Sequence, residues 1–556
     1  MMLFAAPAAE AQTATYSKPI LAAASPEERA AFEEKTLPRE RGYALAARGL
    51  FGDAASKPVT YMALKNALAG AGLEGELGRL VTDLPPRERL RLLEGVMTPA
   101  EILANEANPP AAAPVETGKF DAIIVGAGLA GLEAARKLLA EGKRVLVLEA
   151  SGEIGGRVRT DTTSFGSPID LGAMWLHDTP ENPLAQVAIQ LGLTLVRDVP
   201  ESHWVFDGTS LRPLDGSRVE ASGEALGEAA RRGVAEGRDV SLVEAMRGLK
   251  DRLLSTFFTN IQMGRDTPGE ASAKEFALTV DEVEDHLVKE GMGVIAEAFA
   301  WGVPIVKNAP VSEIEWGEHG VRVHAAVAVH SADRVILTTS PGVLARGAIK
   351  FIPELPADKV ESFAKVEMAK FAKVFLELSG DVLGKVPAGS RILDTSIEGR
   401  VVEHVVRPFG KNMVVTLVGG SLAEELEKMG AEAASATVRR GLSKIFGERF
   451  EPSLVKSTLT TWNADPAYGG AFSSARPGEY DARATLAKPV GPISFAGEAT
   501  APPKWVTTAT GALLSGDRAV DETLRARDGL HRTSTPGLTG RIVGRVEEDQ
   551  GEAGEP

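Results

Sequence analysis

Residues 120–150 read FDAIIVGAGLAGLEAARKLLAEGKRVLVLEA, and their order decides the fold. An apolar run at 122–125 leads directly into Gly126, Gly128 and Gly131. A segment with helical spacing follows, then a second apolar run at 145–148 that ends on Glu149. Two short apolar runs joined through one helical segment predict a βαβ unit with parallel strands. Each glycine has a separate physical reason. Gly126 permits the tight turn, Gly128 lets backbone approach a pyrophosphate, and Gly131 lets helix and strand pack closely. The helix that starts there directs its free N–H groups and positive dipole end at the phosphates. Glu149 is placed to accept hydrogen bonds from the adenosine ribose. The stretch is read as a dinucleotide site.

The chain continues as EASGEIGGR over residues 149–157. Gly155 and Gly156 let it pass close to a ligand, and Arg157 can neutralise pyrophosphate charge. An NAD site needs no such second clamp. The E-x(5)-G-G-R pattern resembles the two-dinucleotide-binding FAD proteins, in particular the flavin-containing amine oxidases: monoamine oxidases, polyamine oxidases and histone lysine demethylases. The resemblance implies FAD as cofactor and an amine as substrate.

Further motifs between residues 120 and 522 extend the resemblance. DLGAMWLH at 170–177, followed by Asn182, is similar to the loop beneath the flavin ring, which implicates Ala173, Met174 and Trp175 in cofactor contact and gives His177 a place in the pocket. NAPVSEI at 308–314 resembles the segment whose Val311 backbone meets the adenine. FAGEAT at 495–500 and TATGALLSG at 508–516 resemble the family's C-terminal signature. They imply that Glu498 holds the ribityl and phosphate region, and that Thr508 and Ala509, at a helix start, stabilise negative charge at the flavin N1–O2 edge. Lys373, in KFAKVFLEL at 370–378, matches the lysine that holds a water at flavin N5, with Lys370 as its competitor.

The same comparison bears on substrate. Trp175 stands where amino-acid oxidases of this fold carry a carboxylate-anchoring arginine, which implies an amine without an α-carboxylate. Phe472 and Trp505 are the candidate aromatic wall. Ala471 stands where monoamine oxidases have a flavin-linking cysteine, which implies non-covalent FAD. The expected reaction is oxidation of a primary or secondary amine, polyamine-like amines included, to an imine that hydrolyses to aldehyde plus amine. O2 then takes the electrons and yields H2O2. Two alternatives stay open: a desaturase or porphyrinogen-type oxidase on the same fold, and a non-catalytic FAD-binding interaction protein.

Composition limits the rest. With 556 residues the chain exceeds a single core, so two or three domains are expected. A formal net charge of −15 argues against nucleic acid as a main partner, because such binding needs a basic face. The chain has no cysteine, which excludes disulfides, thiolate metal sites and a thiol nucleophile. No metal site is read from the sequence. No apolar run approaches the roughly 18 residues of a membrane span. Residues 1–14 are similar to the last part of a secretory signal but lack its basic start. A cytoplasmic or periplasmic location is therefore left open, as is a homo-oligomer.

The expected class is α/β, α+β overall: a two-dinucleotide-binding, Rossmann-type FAD domain with an inserted α+β substrate domain. The FAD domain is expected from 117–205, 290–345 and 485–525, and the substrate domain from 206–289 and 346–484. Ala-, Leu- and Arg-rich spacing predicts a helical extension over 1–107, joined by a Pro/Ala-rich linker at 108–116. These helices are expected to do no more than pack on the catalytic body. The polar segment 526–556 is expected to be disordered. Residues 325–339 read as one continuous strand.

Overall fold

Continuous apolar runs demand burial on both faces, and the first sheet provides it. The structure is a computed structural model that describes residues 57–71, 77, 84, 86–99, 119–247, 252–279, 284–397 and 400–525. The strand Phe120–Val125 pairs in parallel with Val145–Leu148 on one side and Val329–Leu337 on the other. Ile305–Val306 and Ile493–Phe495 extend the parallel set outward. Successive side chains point to opposite faces. Ala122, Ile124, Val145 and Val147 pack against Leu132, Ala135 and Leu138 of the helix Leu129–Ala140. Ile123, Val125, Leu146 and Leu148 pack instead against Ile314, Val323 and Phe363.

Residues 325–339 are not one strand. The chain turns at 326–328, so that Gly320–Ala325 runs antiparallel to Val329–Leu337. The turn residues Ala326, Val327 and Ala328 carry no Gly, Pro or Asn, so alternation ran through the turn unmarked.

The second sheet has seven strands in the order Leu454–Leu459, Phe371–Leu378, Met413–Gly419, Arg400–Val406, Arg391–Ile397, His203–Phe206, Leu211–Leu214. The helices Ser421–Met429 and Ala431–Phe446 cover one face. The long helix Gly216–Ala235 packs on the other. Two expected boundaries shift. His203–Phe206 already pairs in the second sheet, with Arg391–Ile397, so the crossing precedes residue 206. Lys350–Ile352 still pairs with Val311–Gly317 in the first sheet, and Phe363 and Val366 belong to the first sheet's core, so the return crossing follows residue 345.

Of the N-terminal region, the helices Tyr61–Gly70 and Pro86–Leu93 are described. Thr60 caps the first, its hydroxyl accepting from the Ala63 N–H at 3.1 Å. Tyr61, Leu68, Leu92 and Met97 are buried with Leu138, Leu191 and Phe299, in the same core as the dinucleotide-binding helix. The expected linker at 108–116 and tail at 526–556 lie outside the described residues.

Candidate active site

The nucleotide end is set by two glycine turns that meet. Gly126 leaves the first strand with φ of 108°, and its N–H donates to the Leu148 carbonyl at 2.8 Å. A Cβ on Gly131 would stand 2.0 Å from the Gly126 carbonyl oxygen, so only glycine lets the helix start this close to the strand end. Gly128 caps that helix and faces Gly156, where a Cβ would lie 3.2 Å from the Gly128 Cα. The Gly155 N–H donates to the Ala127 carbonyl at 2.8 Å and locks the turns together.

Glu149 is buried at the end of the neighbouring strand. One carboxylate oxygen accepts from the Ala127 N–H at 2.7 Å, and the other accepts from the Ser151 N–H and hydroxyl, each at 2.8 Å. A carboxylate offers about four acceptor positions, so one remains. The Glu149 carbonyl accepts from the Ala309 N–H at 2.8 Å. That bond brings the chain leading to Val311 onto the same turn, and Val311 packs with Val125 and Leu148. Glu149 and Val311 thus share one end of the site.

Arg157 and Glu498 come from opposite ends of the sequence and form an ion pair at 2.8 Å. Arg157 also donates to the Ala471 carbonyl at 3.1 Å. Burial opposes ionisation of Glu498, but Arg157, Arg483 and the Ser473 hydroxyl outweigh it and hold the carboxyl below its ordinary range. A narrow cleft opens beside this pair, lined by Arg157, Thr338, Thr339, Gly497 and Glu498. The Thr339 hydroxyl on its wall is buried without a hydrogen-bond partner. An orphaned donor, an arginine and two back-to-back glycine turns are what a pyrophosphate-bearing cofactor requires, so the residues fit FAD.

Lys373 is 3% exposed, on the strand Phe371–Leu378, one in from the edge of the second sheet. Its ammonium donates to the carbonyls of Asp170 and Gly172, at 3.1 and 2.7 Å, and keeps a third donor. Burial pulls its pKa below the ordinary lysine range, with Asp170 opposing. Burial likewise pushes the Asp170 carboxyl up, against a hydrogen bond from Thr160 and the charge of Lys373. Lys370, the competitor, points outward and pairs with Glu424 at 2.8 Å.

The remaining candidates distribute around this pair. The Ala173 N–H donates to the Arg157 carbonyl at 2.9 Å, so the loop carrying Ala173 and Met174 runs along the arginine turn. Trp175 donates its indole N–H to Asp198 at 2.7 Å, and Asp198 also binds buried Arg391. Phe472 stacks obliquely on Phe371, their ring centres 5.9 Å apart. Phe371 is an aromatic that no motif singles out. His177 pairs with Asp285 at 2.9 Å. Trp505 is 7% exposed, with the Lys504 ammonium 5.1 Å from its ring centre, and Lys504 bridges to Asp178 and Glu181 on the His177 loop. Thr508 caps the helix Ala509–Arg525: its hydroxyl accepts from the Gly511 N–H at 3.0 Å. Ser473, next to Phe472, and Arg483 and Glu275, remote from it in sequence, carry no local mark of a role, because only folding buries them together. Glu313, Glu315 and His324 also converge, but Lys350 and Arg322 neutralise the two carboxylates.

Paired glycine turns on a parallel sheet, an acid ending the second strand and an arginine–glutamate clamp define a two-dinucleotide-binding flavoprotein. A family model described as flavin containing amine oxidoreductase matches residues 129–228 and 250–524, and the chain belongs to that family. It is an oxidoreductase that uses FAD, and with no cysteine it cannot tether the flavin through sulfur. Among its relatives, polyamine oxidase 4 of Oryza sativa subsp. japonica is 30% identical over 72% of this chain and 88% of its own length. Lysine-specific histone demethylase 1 homolog 2 of the same plant is 32% identical over 76% of this chain and 59% of its own. The fold is shared with cyclohexylamine oxidase from Brevibacterium oxydans IH-35A, with a TM-score of 0.63 and 23% identity over 74% of this chain and all of that one. It is shared equally with putrescine oxidase bound to putrescine, with a TM-score of 0.63 and 22% identity over 73% and 99%. No described helix is long and apolar enough to cross a membrane.

Proposed function

We propose that this protein oxidises a primary or secondary amine without an α-carboxylate, polyamine-like amines above all. The product is an imine that hydrolyses to an aldehyde and an amine, and O2 is the final acceptor and becomes H2O2. The observation that carries the reading is Lys373: a lysine this deeply buried, braced by two carbonyls with one donor left over, suits a water-holding role beside a redox cofactor.

When bound, FAD supplies the two-electron chemistry, taking electrons from the amine α-carbon and giving them to O2. The protein supplies dryness and orientation. Phe472 and Phe371, with Trp175 nearby, disfavour a charged ammonium, so the amine reaches the site as the free base whose α-C–H bond can be oxidised. Trp505 and His177 extend the wall. Arg157, Glu498, Glu149 and the glycine turns would hold the cofactor, with Ala173, Met174, Trp175 and Val311 as further contacts. The helix start at Thr508 and Ala509 would stabilise the negative charge that the flavin gains on reduction.

Two observations support the substrate class. Trp175 offers no charge to a carboxylate, and Arg391 behind it is taken by Asp198. A polyamine oxidase is also 30% identical to this chain over 88% of its own length. The test is anaerobic bleaching of the yellow protein by a panel of monoamines, diamines, polyamines and a methylated-lysine peptide, followed by air. Fastest bleaching by a diamine or polyamine, with recovery in air, is expected. A flavin that no amine bleaches would sink the proposal.

A further inference from the structure

We propose that Ser473 is a positioning residue that joins the flavin clamp and the aromatic wall into one mechanical unit. The proposal rests on the reading of Arg157 and Glu498 as flavin residues. The Ser473 N–H donates to one Glu498 carboxylate oxygen at 3.0 Å, and its hydroxyl donates to the other at 2.5 Å. The same hydroxyl accepts from Arg483 at 2.7 Å, which uses it as both donor and acceptor. Arg483 in turn pairs with Glu275 at 2.6 Å, and Glu275 accepts from the Ala475 N–H at 2.9 Å. Ser473, Glu498, Arg483 and Glu275 are all buried.

Phe472 sits inside this frame. The carbonyl before it, on Ala471, accepts from Arg157, and the residue after it, Ser473, holds Glu498. Side chains alternate along the strand Phe472–Ala475, so with Ser473 turned to the clamp, Phe472 faces the other way, onto Phe371. Both peptide neighbours of the wall residue are therefore fixed by the two groups that meet the cofactor. Any adjustment of Arg157 or Glu498 to the flavin is transmitted to the Phe472 ring, and Arg483 keeps Glu498 ionised and aimed while Arg157 turns to the pyrophosphate.

Two readouts test this without turnover: the FAD dissociation constant of the apoprotein by flavin fluorescence, and hydrogen exchange of a peptide spanning residues 469–478 with and without saturating FAD. Ser473→Ala is expected to weaken FAD roughly tenfold, the scale of one charge-assisted hydrogen bond. It is also expected to abolish the protection that FAD gives this peptide. Ser473→Thr keeps the hydroxyl and should restore both, whereas a residue that only stabilised the fold would change neither per folded molecule. Glu498→Gln should weaken FAD too, and combined with Ser473→Ala it should add little, because the two act through one contact. If Ser473→Ala keeps wild-type FAD affinity or wild-type protection while Glu498→Gln loses affinity, the linkage is wrong. If Glu498→Gln binds FAD normally, the flavin-site reading beneath it falls.

Discussion

The Lys373 ammonium lies 5.6 Å from the ring centre of Trp175, close enough for a cation–π attraction in a desolvated place. The two residues stand far apart in sequence and on different sheets, one under the expected flavin ring and the other reaching it from the substrate domain. A charge, a ring and two carbonyls fix where the free N–H of Lys373 points.

Lys373→Met should leave the protein yellow and slow reoxidation by O2 roughly a hundredfold, the usual cost of one preorganised electrostatic group. Because burial pulls the lysine pKa down, the charged form is present below that value and is lost as pH rises through it. The wild-type reoxidation rate should accordingly fall at a pH below the ordinary lysine value of about 10.4, and the variant should show no such fall. Stopped-flow mixing of reduced enzyme with O2 across pH measures both.

Arg157→Ala removes the charge beside Glu498 and the bond to Ala471. Loss of charge-assisted bonds predicts FAD affinity lower by about tenfold to a hundredfold, read by fluorescence titration of the apoprotein. Full flavin retention would assign the pyrophosphate to other residues.

Tyr61 is fully buried; its hydroxyl donates to Glu297 at 3.2 Å and accepts from the Trp301 indole at 2.9 Å. Tyr61→Ala should cost about 3–5 kcal/mol of stability through the cavity it leaves, and Tyr61→Phe only about 1 kcal/mol through the lost bonds. Denaturant unfolding of the two variants separates these terms. Equal midpoints would show that the N-terminal helices do not belong to the catalytic core.

Asp517, on the helix Ala509–Arg525, faces Glu133 on the dinucleotide-binding helix, with Lys137 bridging them. Burial and the neighbouring carboxylate push its pKa up to about 7. A carboxyl raised in the folded state stabilises while protonated, and that contribution fades as pH rises from the ordinary aspartate range through 7. Asp517→Asn should therefore raise Tm relative to wild type more at pH 8 than at pH 5. A pH-independent difference would remove the carboxylate repulsion from the account.

Local signals were legible wherever one short segment carries its own physical reason. The glycine turn at 126–131 needs residues without Cβ, the runs 122–125 and 145–148 need two buried faces, and Glu149 ends the second of them. Other features depend on partners remote in the chain. The turn at 326–328 is closed by pairing and not by turn residues. His203–Phe206 joins the second sheet because Arg391–Ile397 offers it an edge.

By itself, the sequence determined the dinucleotide-binding βαβ unit and the flavin motifs, because each is written in neighbouring residues or in one motif, whereas Lys373 and Lys370 were separated only by burial of the one and pairing of the other with Glu424. Tertiary structure alone decided that Ser473, Arg483 and Glu275 stand behind Glu498, that Phe371 faces Phe472, and that Trp175 leans toward Lys373. The physical reason is that buried polar groups must find partners wherever the packed chain places them, and no local pattern records that choice.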